Sequence, residues 1–301
     1  MKNKSDLKLI AALVAVAVVW GTTYLGIRVA VHTIPPWFVT AMRQGIAAFI
    51  LLIVLLSKKE LKWIGWQKLS QQILLSSLMI ILANGMTTVA EQSVPSGLTS
   101  LLNAFSPIVV FLGSVIVGLQ KSTLKGFIGV IIGFLGVAFI FRDGFTDLLD
   151  PNYRMGILYI CISILAWTSG TIYTKKHVIS NSNIFLNLFY QFSFASLVQL
   201  VFAFLFSKTI EPSAWSSSGL FSVAYLGVFG SVIGYVCYSY ALKKITASEV
   251  SILSYFNTII AIFLGWLILN EAITIDLLIA TVLIITGVFI TNYKKKVSIT
   301  V

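Results

Sequence analysis

The apolar residues of this chain come in runs too long for a soluble core. Residues 9–26, 49–56, 73–83, 108–117 and 259–269 are almost uninterrupted stretches of Leu, Ile, Val, Ala, Phe and Gly. About 20 apolar residues span a bilayer as helix, so 301 residues with short connections hold around ten spans. Composition agrees: 58% of residues are hydrophobic and 10% charged, whereas soluble domains carry roughly 25% charged residues. The reading is an all-α polytopic membrane protein. Hydropathy places helices at about 8–27, 37–56, 72–92, 97–119, 124–142, 155–174, 184–206, 219–242, 248–269 and 274–292, with breakers between them: Pro35-Pro36, Pro95, Pro151 and Pro212. The lysines before the first apolar run resemble the start of a signal peptide. That run ends in Trp20-Gly21-Thr22-Thr23-Tyr24 without a small-x-small cleavage pattern, and it reads as an uncleaved first helix.

The net charge of +11 is accounted for by topology. With a cytoplasmic N-terminus, Lys2, Lys4, Lys8, Lys58, Lys59, Lys62, Lys68, Lys121, Lys125, Lys175, Lys176, Lys243, Lys244, Lys294, Lys295 and Lys296 fall inside, against Arg28, Arg142, Arg154 and Lys208 outside, 16 to 4. An even number of spans with both termini cytoplasmic satisfies the positive-inside rule in every loop. The expected setting is a bacterial inner membrane, and no basic domain exists that would bind nucleic acid. Cys161 and Cys237 both lie inside apolar spans, where a disulfide is not expected.

A weak internal repeat divides the chain. Trp20 and Trp167, Arg28 and Lys175, and Gln44 and Gln191 are each 147 apart, and an offset of 151 lays 94–140 over 245–291, matching Ser100 to Ser251, Phe105 to Phe256 and Thr123 to Thr274. The expected organisation is a first repeat over 1–142, a periplasmic linker over 143–154 and a second repeat over 155–301. Five spans is an odd number, so the second copy is inverted. Inverted repeats place a substrate site near the midplane, between the halves.

Several segments resemble EamA-type members of the drug/metabolite transporter superfamily. They are Trp20-Gly21-Thr22-Thr23-Tyr24, Ile34-Pro35-Pro36, Ala41-Met42-Arg43-Gln44, Ala247-Ser248-Glu249-Val250-Ser251-Ile252-Leu253, Gly265-Trp266-Leu267-Ile268-Leu269-Asn270-Glu271 and Gly287-Val288. The resemblance covers the whole chain and implies two EamA repeats exporting a small metabolite, often an amino acid, by alternating access. Carriers of drugs, nucleobases or nucleotide sugars are the alternative it leaves open. Two departures stand out: Thr258 where the family usually has the proline kept at Pro107, and Gln120 where an acid matching Glu271 is common.

Polar side chains at mid-bilayer depth are costly unless paired or facing a cavity, so they are the candidate site. Arg43 lies six residues past Trp37, ~9 Å along the helix. It suits a substrate carboxylate, but a structural ion pair or outward snorkelling would also explain it. Glu91 is its natural partner and a candidate gate or proton site, with a boundary carboxylate in water as the plainer reading. Gln44, Asn84, Asn103, Gln191 and Asn257 bind a zwitterion or hydrogen-bond between helices. Trp20, Tyr24, Trp167, Tyr235 and Tyr255 line a cavity or pack; Trp63, Trp66 and Trp215 belong to the interfacial belt. Gly129 and Gly133, with Gly126 and Gly136, form a small-residue face for helix packing, within the monomer or across a homodimer. Glu249 reads as a first-turn acid at a capped N-terminus. No HExxH, GxSxG, Walker A or paired-cysteine pattern occurs, and no catalytic residue, metal site or cofactor is expected. An intramembrane enzyme or receptor would need a polar cluster at depth or an external ligand domain.

Overall fold

The computed structural model describes residues 4–140, 151–177, 183–207 and 209–292. Residues 143–150 of the expected linker lie outside them. Residues 151–154, also given to that linker, open a helix instead, because Pro151 suits a first helical turn.

The described residues hold no strand and form ten helical runs. They are α1 (Lys4–Val31), α2 (Pro36–Ser57), α3 (Trp66–Ala90), α4 (Ser96–Ile116), α5 (Leu124–Ile140), α6 (Pro151–His177), α7 (Ile184–Phe206), α8 (Ser217–Lys244), α9 (Ala247–Leu269) and α10 (Ile275–Asn292). Eight are long and apolar enough to cross a membrane; α5 and α10 contribute the shorter apolar segments Leu124–Gly136 and Ile275–Gly287. The outer surface is apolar, with Phe49, Leu197, Phe204, Phe221, Phe263 and Leu267 each more than half exposed, as hydrocarbon-facing side chains are.

Helix pairing carries the internal symmetry. α1 packs on α8 and α9, while α6 packs on α3 and α4; α2 pairs with α7, and α5 with α10. Exchanging the first five helices for the last five maps each pairing onto another or onto itself. α1 and α8 are antiparallel, since Trp20 meets Gly230, Thr22 meets Tyr225 and Thr33 meets Ser216. Because successive helices alternate, α6 shares the direction of α8, and the two sets of five run in opposite senses.

Three local features shape the centre. α3 and α8 are each interrupted by a π-helical stretch, Ser76–Asn84 and Leu226–Ile233, at nearly repeat-related positions. Carbonyl oxygens in these wider turns take donors from neighbouring helices: Tyr235 to Met79 (3.2 Å), Gln199 to Ile80 (3.1 Å), Ser163 to Ala83 (2.8 Å) and Trp20 to Gly230 (3.0 Å). Such segments concentrate at functional sites. α4 breaks before Ser106 because Pro107 has no N–H and its ring clashes with the carbonyl four residues back; that carbonyl, of Asn103, accepts Ser106 Oγ at 2.6 Å. In α9 the corresponding Thr258 bonds Ser254 O at 2.8 Å, so its hydroxyl occupies the carbonyl that proline would release.

The glycine face of α5 turns inward. A Cβ on Gly287 of α10 would lie 2.6 Å from Gly129 O and 2.8 Å from Gly133 Cα, while Gly136 and Gly126 press on Ile284 and Phe111. The face is a seam within one chain. Glu249 does sit in a capped first turn, but Thr246 is the cap: its hydroxyl and Glu249 form a reciprocal capping box.

Candidate functional site

A cavity of about 110 Å³ lies at the centre of the pairing scheme. Its lining comes from α1, α2, α3, α4, α6, α8 and α9, so both repeats build it. Eight of the residues expected there reach it: Trp20, Tyr24, Arg43, Asn84, Asn103, Trp167, Tyr235 and Asn257.

Arg43 has the greatest electrostatic consequence. It is 2% exposed, and its Nε donates to Ser231 Oγ at 2.8 Å. That hydroxyl donates to Gln44 Oε1 (3.1 Å), and Gln44 Nε2 donates to Asn84 Oδ1 (3.3 Å). The chain fixes one edge of the guanidinium, while Nη1 is buried without a hydrogen-bond partner. α8 makes room for it with small residues. A Cβ on Gly230 would lie 2.9 Å from Arg43 Nη2, and one on Gly227 would lie 3.2 Å from Arg43 O. A buried guanidinium with an unused donor, on a cavity wall, is equipped for an oxyanion.

Beside Arg43 stands an aromatic group, joined to it through Gly230, which touches both. Trp20 and Trp167 meet edge to face at 5.3 Å, and Tyr235 and Tyr238 close the group at 5.5 and 5.2 Å from Trp20. Trp20 is anchored through Nε1 to Gly230 O, and Tyr238 through its hydroxyl to Thr171 at 2.8 Å. Rings so placed offer apolar contact and negative faces to a cation. The Asn103 and Asn257 amides also line the cavity. Asn103 Nδ2 donates to Thr99 O at 3.0 Å, and the Asn257 amide nitrogen is oriented towards Ala17 O and Leu253 O, at 2.9 and 3.0 Å.

Four expected residues stand elsewhere. Gln44 sits behind Arg43 and is fully buried. Gln191 donates to Gln72 at 2.7 Å and faces a second pocket, separated from the central one by Met79 and Tyr235. Tyr255 is packed among Leu101, Ala104, Ile108, Ala280 and Ile284 with its hydroxyl unpartnered; its place in α9 turns it towards α4 and α10 rather than the cavity. Glu91 is fully buried at the end of α3 with neither carboxylate oxygen hydrogen-bonded. The expected boundary carboxylate in water and the direct Arg43–Glu91 hydrogen bond are both absent. Arg43 is taken by Ser231, and Arg28 donates to the backbone carbonyls of Glu91 and Gln92 instead.

Sequence reasoning missed Ser231, Ser106, Ser163, Thr87 and Thr23. One signal was available: the offset of 151 relates Asn103 to Ser254 and Ser106 to Asn257, and all four line the cavity. Thr87 and Ser163, which bond each other at 2.8 Å across α3 and α6, carry no such mark.

Comparison with known proteins agrees with this architecture. The profile of the EamA-like transporter family matches residues 7–142 and 154–293. YoaV of Bacillus subtilis (strain 168), described as an uncharacterized transporter, is 27% identical over 286 residues, covering 95% of this chain and 97% of its own. YedA of Escherichia coli (strain K12), described as an uncharacterized inner membrane transporter, is 28% identical, covering 88% of this chain and 84% of its own. A crystal structure with 16% sequence identity superposes with a TM-score of 0.71 over 97% of this chain and 98% of that one, which establishes the shared fold.

Proposed function

This chain belongs to the EamA-like transporter family, and we propose that it exports a small carboxylate-bearing metabolite, an amino acid or a related compound, from the cytoplasm by alternating access. The supporting observation is Arg43, a buried cation on the cavity wall with Nη1 unpartnered. A substrate carboxylate supplies the missing acceptor, and the aromatic rings receive the remainder of the molecule, including an ammonium group. Asn84, Asn103 and Asn257 orient its other polar atoms. The two repeats, 1–142 and 155–301, rock about this site.

The membrane is taken to be the bacterial inner membrane, as in the name of the Escherichia coli relative, with both termini cytoplasmic, a placement that the lysine distribution supports. Glu91 is assigned as the proton site: no hydrogen bond compensates its buried carboxyl, so its charge is managed by gain and loss of a proton.

Transport by the purified protein in proteoliposomes tests both assignments. Arg43→Ala abolishes uptake of a transported amino acid while the protein stays monodisperse, and Glu91→Gln flattens the response to an imposed pH gradient. Wild-type kinetics in Arg43→Ala would refute the substrate role, and an unchanged gradient response in Glu91→Gln would refute the proton role.

A further inference from the structure

The two elbows that join α3 to α4 and α8 to α9 are held from outside themselves, and not equally. The first elbow joins α3 to α4. Arg28 of α1 donates to the carbonyls of Glu91 and Gln92 at the end of α3. Glu271, following α9, receives the start of α4: Oε1 accepts Ser96 N and Ser96 Oγ, both at 2.8 Å, and Oε2 accepts Gly97 N at 2.9 Å. The second elbow joins α8 to α9. Lys175 of α6, repeat-mate of Arg28, donates to Leu242 O and Ile245 O, both at 2.8 Å. Gln120, repeat-mate of Glu271, accepts Ser248 Oγ at 2.7 Å.

Each elbow thus has a cation on its outgoing helix end and an acceptor on its incoming one. The acceptors differ in kind. Glu271 is a carboxylate taking three hydrogen bonds at a helix N-terminus, where charge-assisted bonds are short and strong and the helix dipole favours an anion. Gln120 is a neutral amide taking one. The helices they cap differ in the complementary way. α4 begins at Pro95 with no side-chain cap of its own, whereas α9 carries the Thr246–Glu249 capping box. Moving the first elbow off Glu271 strips the α4 start of its acceptors. Moving the second off Gln120 leaves α9 capped.

In the orientation proposed above, the first elbow faces outward and the second faces the cytoplasm. We infer that Glu271 is a positioning residue that latches the outer mouth, so that the substrate-free protein rests with its cavity accessible from the cytoplasmic side. This inference rests on the proposed transport cycle for its meaning but not for its test, because sidedness is read without substrate.

The test uses the full chain with Cys161→Ser and Cys237→Ser, and a reporter cysteine at the cavity wall, Ser106→Cys. Labelling by a membrane-impermeant maleimide is compared in right-side-out and inside-out vesicles. The starting protein reacts faster from the cytoplasmic side. Glu271→Gln raises the outer rate by about tenfold, the effect of losing charge-assisted bonds of at least 1.4 kcal/mol. Ser248→Ala, which removes the Gln120 bond, leaves the outer rate within about twofold. Ser96→Ala, which deletes one of the three bonds, raises the outer rate by a smaller factor and serves if Glu271→Gln does not fold. Equal labelling from both sides in the starting protein overturns the inference. So does a Glu271→Gln or Ser96→Ala variant that melts earlier with its ratio of outer to inner labelling unchanged.

Discussion

At the scale of single residues, the site depends on how α8 receives Arg43. Ser231 holds Nε, and Gly230 leaves space that any side chain would fill, its Cβ falling 2.9 Å from Nη2 and from Thr23 Cγ2. Neither neighbour can yield far, since Thr23 is held by its own bond to Trp20 O at 2.7 Å. Gly230→Ala therefore turns the guanidinium out of register with the Ser231–Gln44–Asn84 chain. Transport falls by about tenfold or more, on the scale of one misaligned charged hydrogen bond, while the melting temperature changes little. Initial rates in proteoliposomes set beside a thermal melt check this; equal losses in both, or in neither, contradict it. Arg43 was legible in the sequence because a cation at that depth has few explanations. Ser231 was not, because serine is common in membrane helices and nothing local marks which face of α8 meets α2.

At the scale of elements, the seam between α5 and α10 is, among the described residues, the closest backbone approach that glycine makes possible. Gly287 faces Gly129 and Gly133 with room for hydrogen alone, and lipid offers no hydrophobic penalty that would otherwise drive the helices together. Gly287→Val forces backbone to move rather than a side-chain tip, and destabilises by about 1–3 kcal/mol, the usual scale of overpacking. A denaturation series in detergent reads this directly, and unchanged stability would show that the seam is looser than the geometry states. The ten helices themselves were legible because apolar length and proline punctuation are one-dimensional signals. The π-helical turns of α3 and α8 were not: Ser76–Asn84 and Leu226–Ile233 are ordinary apolar sequence, and the wider turn is expressed only through the cross-helix donors that use it. The inward turn of the α5 glycines was likewise undetermined, since one small-residue face serves an internal seam or a dimer equally well.

At the scale of the whole molecule, two oppositely running sets of five helices meet at a cavity lined by one cation, Arg43, and by the rings of Trp20, Tyr24, Trp167 and Tyr235. The repeat predicted that meeting place, and repeat-mates do converge on it: Trp20 with Trp167, Asn103 with Ser254, Ser106 with Asn257. Arg43 has no such counterpart. Its position in α2 corresponds to one in α7, which pairs with α2 but contributes nothing to the lining. Both repeats therefore contribute polar groups, but the cation of the lining comes from the first alone, which suits a substrate whose own charge is concentrated at one end. The most direct measurement compares an amino acid that the protein transports with its carboxamide, as competitors for transport by wild type and by Arg43→Lys. Lysine keeps the charge but loses the planar fork and the Nε that Ser231 holds. The account predicts that wild type prefers the carboxylate by at least about tenfold and that Arg43→Lys loses most of this preference. Equal competition by carboxylate and carboxamide in the wild-type protein would contradict it.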